Sequence, residues 1–254
     1  MNYAKRVCRV LLIPLFWLLV WWVAAWMIAK PLLFPTPWAV LKRLTELMAT
    51  KEFYLITANS IWNVVFGILI AVIGGGILSL ITSRISLLRE AILPIMTVIK
   101  ATPVASFIIL ALIWMGSANV PTFITVLIVL PVVWTNLDEG FSHMDPQLIE
   151  VAKVYKMPAW RTFRILTLPT LKPYFVSACR TSMGLAWKAG IAAEIIAMPR
   201  NTIGTMIGDA KQYIMTEDMF AWTLTVILLS LVIEFLFAWI FRKLDSARKV
   251  RKEA

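Results

Sequence analysis

Six apolar runs, each about as long as a bilayer is thick, constrain what this chain can fold into. Of its 254 residues, 60% are hydrophobic, compared with about 45–50% in a soluble domain. Roughly 20 apolar residues form a spanning helix, whereas spanning strands alternate polar and apolar residues in segments of about ten. That alternation does not occur, so we predict an all-α membrane protein. Its six transmembrane helices are expected at about 11–29, 57–81, 91–115, 119–137, 170–197 and 219–241.

The distribution of basic residues predicts the orientation of these spans. The net charge is +11, and most Lys and Arg residues lie at the chain ends and in two loops. With the N-terminus inside, sixteen of them fall in inner segments, six in outer segments and three within spans. Because cytoplasmic loops carry the basic excess, both termini are expected in the cytoplasm. Nucleic acid is not expected as a partner, since the charge does not form one basic face.

The reactive residue types do not indicate an enzyme. Cys8 and Cys179 lie far apart, no metal-ligand spacing is present, and His143 is the single histidine. A phosphate-binding GxxxxGK[ST] loop is also absent from the sequence. We therefore expect no catalytic residues, no metal site and no cofactor bound by this chain.

Two short elements are predicted on the outer side. Thr36 suits the cap, and Pro37 the first position, of an amphipathic helix that runs from Trp38 to Met48 along the membrane surface. The segment 198–218 is too short and too polar to span a bilayer, so it is expected to pack at the outer mouth. The tight connection at 116–119 joins the third and fourth spans into a hairpin.

A polar island, EVAKVYKMPAWRTFRILTLP at 150–169, interrupts the apolar sequence on the inner side. Asp145 and Pro146 provide a start signal for a helical element over 147–164. One face of this element is predicted to carry Leu148, Ala152, Tyr155 and Ala159. From the helix alone, an interfacial anchor is the favoured interpretation and a docking element is the alternative, since interfacial helices are common.

The spacing of this island resembles the EAA loop of ABC importer permeases, with Glu150 and Ala152 at its start and Leu166, Leu168 and Pro169 at its end. Nearly the whole chain from residue 34 is similar to the branch of that family that handles taurine, alkanesulfonates, nitrate and related small solutes. The segments that carry this similarity are 34–40, 99–116, 130–153, 184–196 and 207–213.

The resemblance implies a type I ABC importer permease (MetI-like architecture) with a cytoplasmic coupling helix. The chain is then one permease domain, 1–254, in a bacterial cell (inner) membrane, with a cytoplasmic coupling loop at 138–169. It implies a homodimer, two ABC ATPase subunits that carry ATP and Mg, and an extracytoplasmic substrate-binding protein. The residues implied in ATPase coupling are Glu150, Ala152, Lys156, Pro158, Leu168 and Pro169.

The chain departs from the family pattern at the loop glycine, which falls on Lys156. Glycine permits a left-handed turn between two short helices at little cost. Lysine does so less readily, so Pro158 is an alternative point for the helix to break.

Charges within the predicted spans indicate a translocation path, because a charge in the bilayer usually faces a cavity or a partner. At 100° per residue, the fifth span places Arg180, Gly184, Trp187, Ile191 and Glu194 on one stripe, with Lys188 beside it. Other roles stay open: Arg180 as a snorkelling residue, and Glu194 as a partner of Lys188 or of a neighbouring span. Lys100 begins a Lys-Ala-Thr-Pro sequence that predicts a kink in the third span, and its alternative role is an inter-helix contact. The candidate path residues are Lys100, Arg180, Gly184, Trp187, Lys188 and Glu194.

Two other classes of function compete with an importer subunit. A secondary transporter or channel needs no ATPase and usually shows paired interrupted helices in two related halves, which the sequence lacks. An intramembrane enzyme needs a nucleophile–base or metal constellation. For the solute, Arg180 and Lys188 favour a small anion such as a sulfonate, whereas Trp187 favours a neutral or aromatic solute.

Overall fold

The computed structural model describes the backbone of residues 3–253 and the side chains of residues 12–237 and 239. Within that part of the chain the fold is helical, and no strand is present. The helices are α1 (Tyr3–Ile28), α2 (Pro37–Met48), α3 (Lys51–Thr82), α4 (Ser86–Ala101), α5 (Val104–Met115), α6 (Val120–Ser142), α7 (Pro146–Val154), α8 (Ala159–Thr162), α9 (Leu168–Ala197), α10 (Ile203–Gln212) and α11 (Thr216–Glu253). A π-helical turn over Phe163–Thr167 joins α8 to α9.

Several of these helices are long and apolar enough to cross a membrane. In the described part of the chain, α3, α6 and the stretch Thr216–Phe237 of α11 meet that standard, and α4 with α5 meets it only as a bent pair. Helix α9 has 30 residues, about 45 Å at 1.5 Å per residue, but it carries several charges. The basic residues predicted to flank the first and last spans, and Cys8, lie outside the described side chains.

The predicted third span, 91–115, consists of two helices rather than one kinked helix. Helix α4 ends at Ala101, and α5 starts at Val104 at an angle of 103°. The cause is Pro103, which has no N–H to donate and forces the preceding Thr102 out of the helical region. Thr102 has φ −80° and ψ 135°, so the predicted kink is a complete break.

The core is formed by α3, α6 and α9, which pack side by side. Trp134 of α6 is almost fully buried, and its Nε1 donates to Thr82 Oγ1 of α3 at 3.0 Å. Gly190 lets α9 approach α3, because a Cβ at this position would lie 2.6 Å from a methyl carbon of Val64. The three helices therefore form one packed unit on which the other elements are arranged.

The first two helices lie at the edge of this unit. Thr36 caps α2 by accepting a hydrogen bond from the Ala39 amide at 3.3 Å, and Pro37 is its first residue, which confirms the predicted start. Arg43 of α2 donates to Asp218 of α11 at 2.8 Å, and this hydrogen bond raises the pKa of the guanidinium. On α1, Trp21 packs against aromatic neighbours, whereas the other described tryptophans are exposed: Trp17, Trp22 and Trp26.

Candidate functional site

The polar island folds into two short helices. Asp145 accepts a hydrogen bond from the Gln147 amide at 2.8 Å, and Pro146 is the first residue of α7, as predicted. The single helical element predicted over 147–164 is wrong, because α7 ends at Val154 and α8 begins only at Ala159.

The break between α7 and α8 lies at the position of the missing family glycine. Lys156 has φ +48°, in the left-handed region. The amide of Met157 donates to the Ala152 carbonyl at 2.9 Å, and the amide of Lys156 donates to the Lys153 carbonyl at 3.0 Å. These two bonds are the Schellman pattern, which usually has glycine here. The turn therefore forms at a cost of about 1–2 kcal/mol, and Pro158 follows as the residue before α8.

Helix α7 exposes apolar side chains. Within the predicted face, Ala152 is buried, whereas Leu148 and Tyr155 are exposed. The exposed set, named here the α7 apolar surface, consists of Leu148, Val151, Val154 and Tyr155. Such contiguous exposed apolar groups indicate a binding surface. The remaining coupling candidates Glu150, Leu168 and Pro169 are also exposed.

At the opposite end of α9, Glu194 is fully buried and has three hydrogen-bond donors. Its carboxylate accepts from Ser60 Oγ at 2.8 Å, from Asn63 Nδ2 at 3.4 Å and from the Gly204 amide at 3.1 Å. Ser60 also accepts from the Ile203 amide at 2.9 Å. Glu194 therefore fastens the start of α10 to α3 and α9. Lys188 is not its partner, and the alternative of a contact with a neighbouring span is confirmed.

Two more charges near or within the predicted spans have partners in the protomer. Arg89 of α4 forms a bidentate ion pair with the buried Asp138 of α6, with nitrogen–oxygen distances of 2.8 and 2.7 Å. Lys100 donates to Thr135 Oγ1 at 2.6 Å, which is an inter-helix contact between α4 and α6.

Within the described parts of the predicted spans, three ionisable side chains lack such partners. Arg180 and Lys188 of α9 and Glu234 of α11 are exposed, and no hydrogen bond or ion pair joins them to any residue whose side chain the structure describes. They lie along one seam, because a Cβ on Gly184 would stand 3.5 Å from Glu234 Oε1. This set, Arg180, Gly184, Lys188 and Glu234, is named here the α9–α11 seam.

The predicted stripe on α9 is therefore divided between two surroundings. Trp187, Ile191 and Glu194 are buried within the protomer, and Trp187 Nε1 donates to the Val226 carbonyl of α11 at 3.1 Å. Arg180, Gly184 and Lys188 stay at the accessible side. Packing against α11 separates residues that the helical period places together.

Sequence reasoning missed Glu234. The signal was present, since it is the single charged residue in the apolar run at 219–241. An ionisable residue within a spanning helix is rare and usually faces a cavity or a partner, so Glu234 was a candidate path residue. Within the described residues, no group of His, Cys, Asp or Glu side chains is arranged to hold a metal ion.

Comparison with known proteins identifies the family. Residues 63–249 match the family described as "Binding-protein-dependent transport system inner membrane component". This chain belongs to that family. Its members are ABC importer permeases, so the chain is a multi-pass membrane protein of a transport system rather than an enzyme.

Individual relatives within the family cover most of the chain. SsuC of Bacillus subtilis, whose name describes an aliphatic sulfonates transport permease, is 26% identical over 83% of this chain and 77% of its own length. The taurine transport system permease protein TauC of Escherichia coli is 23% identical over 85% of this chain and 81% of its own. The bicarbonate transport system permease protein CmpB of Synechocystis is 29% identical over 64% of this chain and 58% of its own.

Proposed function

We propose that this chain is the transmembrane permease subunit of an ATP-driven ABC importer that moves a small solute, a sulfonate-like anion, across a bacterial inner membrane. The observation that carries the proposal is the α7 apolar surface, which stands exposed in a protein of this family. It provides a hydrophobic contact of the kind that stable protein interfaces bury.

The topology we propose has six spans and both termini in the cytoplasm, in one permease domain, 1–254. Helix α9 is the fifth span despite its charges, and the bent pair α4–α5 is the third. The loop at 138–169, with α7 as the coupling helix, then faces the cytoplasm, and α10 lies on the outer side. The basic residues of this loop and of the chain ends support this orientation.

Coupling follows from this arrangement. An ATPase subunit seated on the α7 apolar surface would pull on α7 when it closes on ATP, and the π-helical turn connects α8 directly to α9. Glu150, Ala152, Lys156, Pro158, Leu168 and Pro169 are the residues proposed for this contact and its geometry. ATP and Mg are held by the ATPase subunits, and this chain holds no cofactor.

The translocation path is proposed to run along the α9–α11 seam, between two copies of the chain. Unpartnered charges in a spanning region face water, a solute or a second protein, and a homodimer would place two seams around one path. Lys100 and Trp187 make hydrogen bonds to neighbouring helices within the protomer, so we assign them to packing rather than to the path. An extracytoplasmic binding protein is proposed to deliver the solute, and the binding-protein dependence of the family supports this partner.

The decisive experiment is co-purification of the tagged chain with an ABC ATPase, followed by ATP hydrolysis in lipid. A Tyr155→Asp variant should lose retained ATPase by more than about tenfold, because interface hot spots contribute roughly 2 kcal/mol or more. The matched control is Tyr213→Asp, since Tyr213 is a similarly exposed tyrosine that follows α10. It should retain the ATPase fully.

The alternative, a secondary transporter or channel, makes the opposite prediction. A stable chain that transports solute with no ATPase partner would overturn the importer proposal and favour this alternative. If Tyr213→Asp lost the ATPase and Tyr155→Asp retained it, the docking surface would lie at the α10 end of the bundle, which would contradict the proposed role of the α7 apolar surface.

A further inference from the structure

We propose that the ion pair between Arg89 and Asp138 transmits the movement of the coupling loop to α4, so that this helix follows α7 when the ATPase subunits close on ATP. The two are positioning residues, since neither belongs to the α7 apolar surface or to the α9–α11 seam. The inference rests on the proposed function, because it assumes that an ATPase acts on α7. It goes further by naming the contact that moves a helix not continuous with the loop.

Helix α4 has little apolar packing of its own. Of its 16 residues, all of which the structure describes, only Met96 is buried, and apolar side chains such as Leu87 and Val98 are exposed. In α5, by contrast, Ile108 and Ala111 are almost completely buried in a cluster with residues of α6 and α9. The position of α4 therefore depends on polar contacts more than the position of α5 does.

Two polar contacts hold α4 to one short stretch of α6. Arg89 pairs with Asp138 at 2.8 and 2.7 Å, and Lys100 donates to Thr135 at 2.6 Å. These contacts lie eleven residues apart on α4, about 16 Å by helical rise, but only three residues apart on α6, about 4.5 Å. Helix α4 therefore crosses α6 and is fixed on both sides of Met96, so it cannot shift along α6 without breaking a contact.

The ion pair is the stronger of these two contacts. The Asp138 side chain is 10% exposed and the Arg89 side chain 45%, so the carboxylate is held away from water. A bidentate pair of this kind is stronger than a neutral hydrogen bond and fixes the relative orientation of its partners. Separating the pair would leave a buried charge without compensation, so α4 and the end of α6 stay together while the pair is intact.

Asp138 lies where the coupling loop begins. Three residues separate the end of α6 from the start of α7. On the same last turns of α6, Gly140 packs closely on α9, because a Cβ there would lie 2.9 Å from side-chain carbons of Leu171 and Tyr174. The end of α6, the coupling loop and the start of α9 therefore form one unit, to which Arg89 attaches the start of α4.

The test measures whether α4 moves with the end of α6. A single cysteine replaces either Ile95, which is exposed on α4, or Ser142, the exposed last residue of α6, after Cys8→Ser and Cys179→Ala. The permease–ATPase complex in lipid nanodiscs carries a nitroxide on each permease copy. Double electron–electron resonance gives the distance between the copies without nucleotide and with ATP, Mg and vanadate. Both distances should change by about 2 Å or more, as helix shifts at subunit interfaces do.

In Asp138→Asn, the distance at α4 should lose more than half of its change, whereas the distance at α6 should keep its own. Arg89→Lys, which retains the charge without the bidentate geometry, should keep more of the change at α4 than Arg89→Gln does. The matched control is Asp218→Asn, because Asp218 forms an ion pair at 2.8 Å with Arg43 between α2 and α11. It should leave both changes intact. If Asp138→Asn does not assemble with the ATPase, the two Arg89 variants make the same comparison.

The inference would be overturned by a wild-type distance at α4 or at α6 that does not respond to nucleotide. It would also be overturned by an unaltered change at α4 in Asp138→Asn and Arg89→Gln, or by an equal loss in Asp218→Asn. In each case, an ATPase that wild type retains and Tyr155→Asp releases would leave the proposed function intact. A wild-type chain that retains no ATPase would overturn both.

Discussion

The two ends of the helical bundle treat polar and apolar groups in opposite ways. At the end that carries α10, a buried carboxylate, a serine and two backbone amides satisfy one another. At the end that carries α7, apolar side chains remain exposed around a single buried alanine. The first arrangement gains stability within one protomer, whereas the second leaves free energy to be gained by binding a partner.

The two ends nevertheless share one backbone device. Lys156 follows α7 and Ile214 follows α10, and both occupy the left-handed region, at φ +48° and +58°. Each is followed by an amide that reaches back five residues, Met157 to Ala152 and Met215 to Ala210. The ends therefore differ in side-chain chemistry rather than in how the chain turns.

The contrast between the two ends would be contradicted most clearly if disrupting the packing of α10 on α9 left the stability of the protein unchanged. In Gly204→Ala, the new Cβ would stand 2.2 Å from the Cβ of Glu194 and 2.6 Å from the Ile195 amide nitrogen. Backbone cannot give way as a side-chain tip does, so we expect a loss of about 3 kcal/mol, measured by thermal unfolding in detergent.

The control for this substitution is Gly76→Ala, because no atom lies within 4 Å of a Cβ at Gly76. It should raise stability slightly, by up to about 1 kcal/mol, through helix propensity. Equal unfolding temperatures for the two variants would contradict the tight packing of α10 on α9.

A smaller effect is expected from the carboxylate itself. Glu194→Ala removes three acceptor contacts and leaves the Gly204 amide without its partner, which should cost about 2–3 kcal/mol. Glu194→Gln keeps one acceptor oxygen and should cost roughly half as much. Hydrogen exchange at the Ile203 and Gly204 amides should accelerate in the same order, and unaltered exchange in Glu194→Ala would refute the fastening role.

The smallest effects test the shared turn. Ile214→Gly should stabilise the protein by about 1–2 kcal/mol, since a β-branched residue is poorly suited to positive φ. Lys156→Gly should gain about 1 kcal/mol or less and should keep its ATPase partner in the co-purification assay. A loss of stability in both variants would mean that the turns are not left-handed.

Some local features could be predicted because neighbouring residues decide them. The caps Thr36 and Asp145 accept hydrogen bonds from amides only two or three residues away. Pro37 and Pro146 begin their helices because the proline ring fixes φ near the helical value. The break in the third span was predicted only as a kink, because the sequence marks the site of Pro103 but not the angle between the two halves.

The side of α9 on which each residue would be buried could not be predicted in the same way. Helical periodicity places Trp187 near Arg180, but the packing of α11 buries the first and leaves the second exposed. Glu234 was visible as an acid in an apolar run, yet its position opposite Gly184 depends on the register between two helices 50 residues apart in sequence.

The sequence by itself determined the class of fold and the family, because the length of apolar runs, the distribution of charge and the spacing of motifs are all properties of the linear sequence. It also determined where α2 and α7 start. The tertiary structure alone decided which intramembrane charges are satisfied within the protomer and which remain unpartnered. The physical reason is that hydrogen-bond partners such as Ser60 and Gly204 come from distant segments, and only the packing of helices brings them within reach of Glu194.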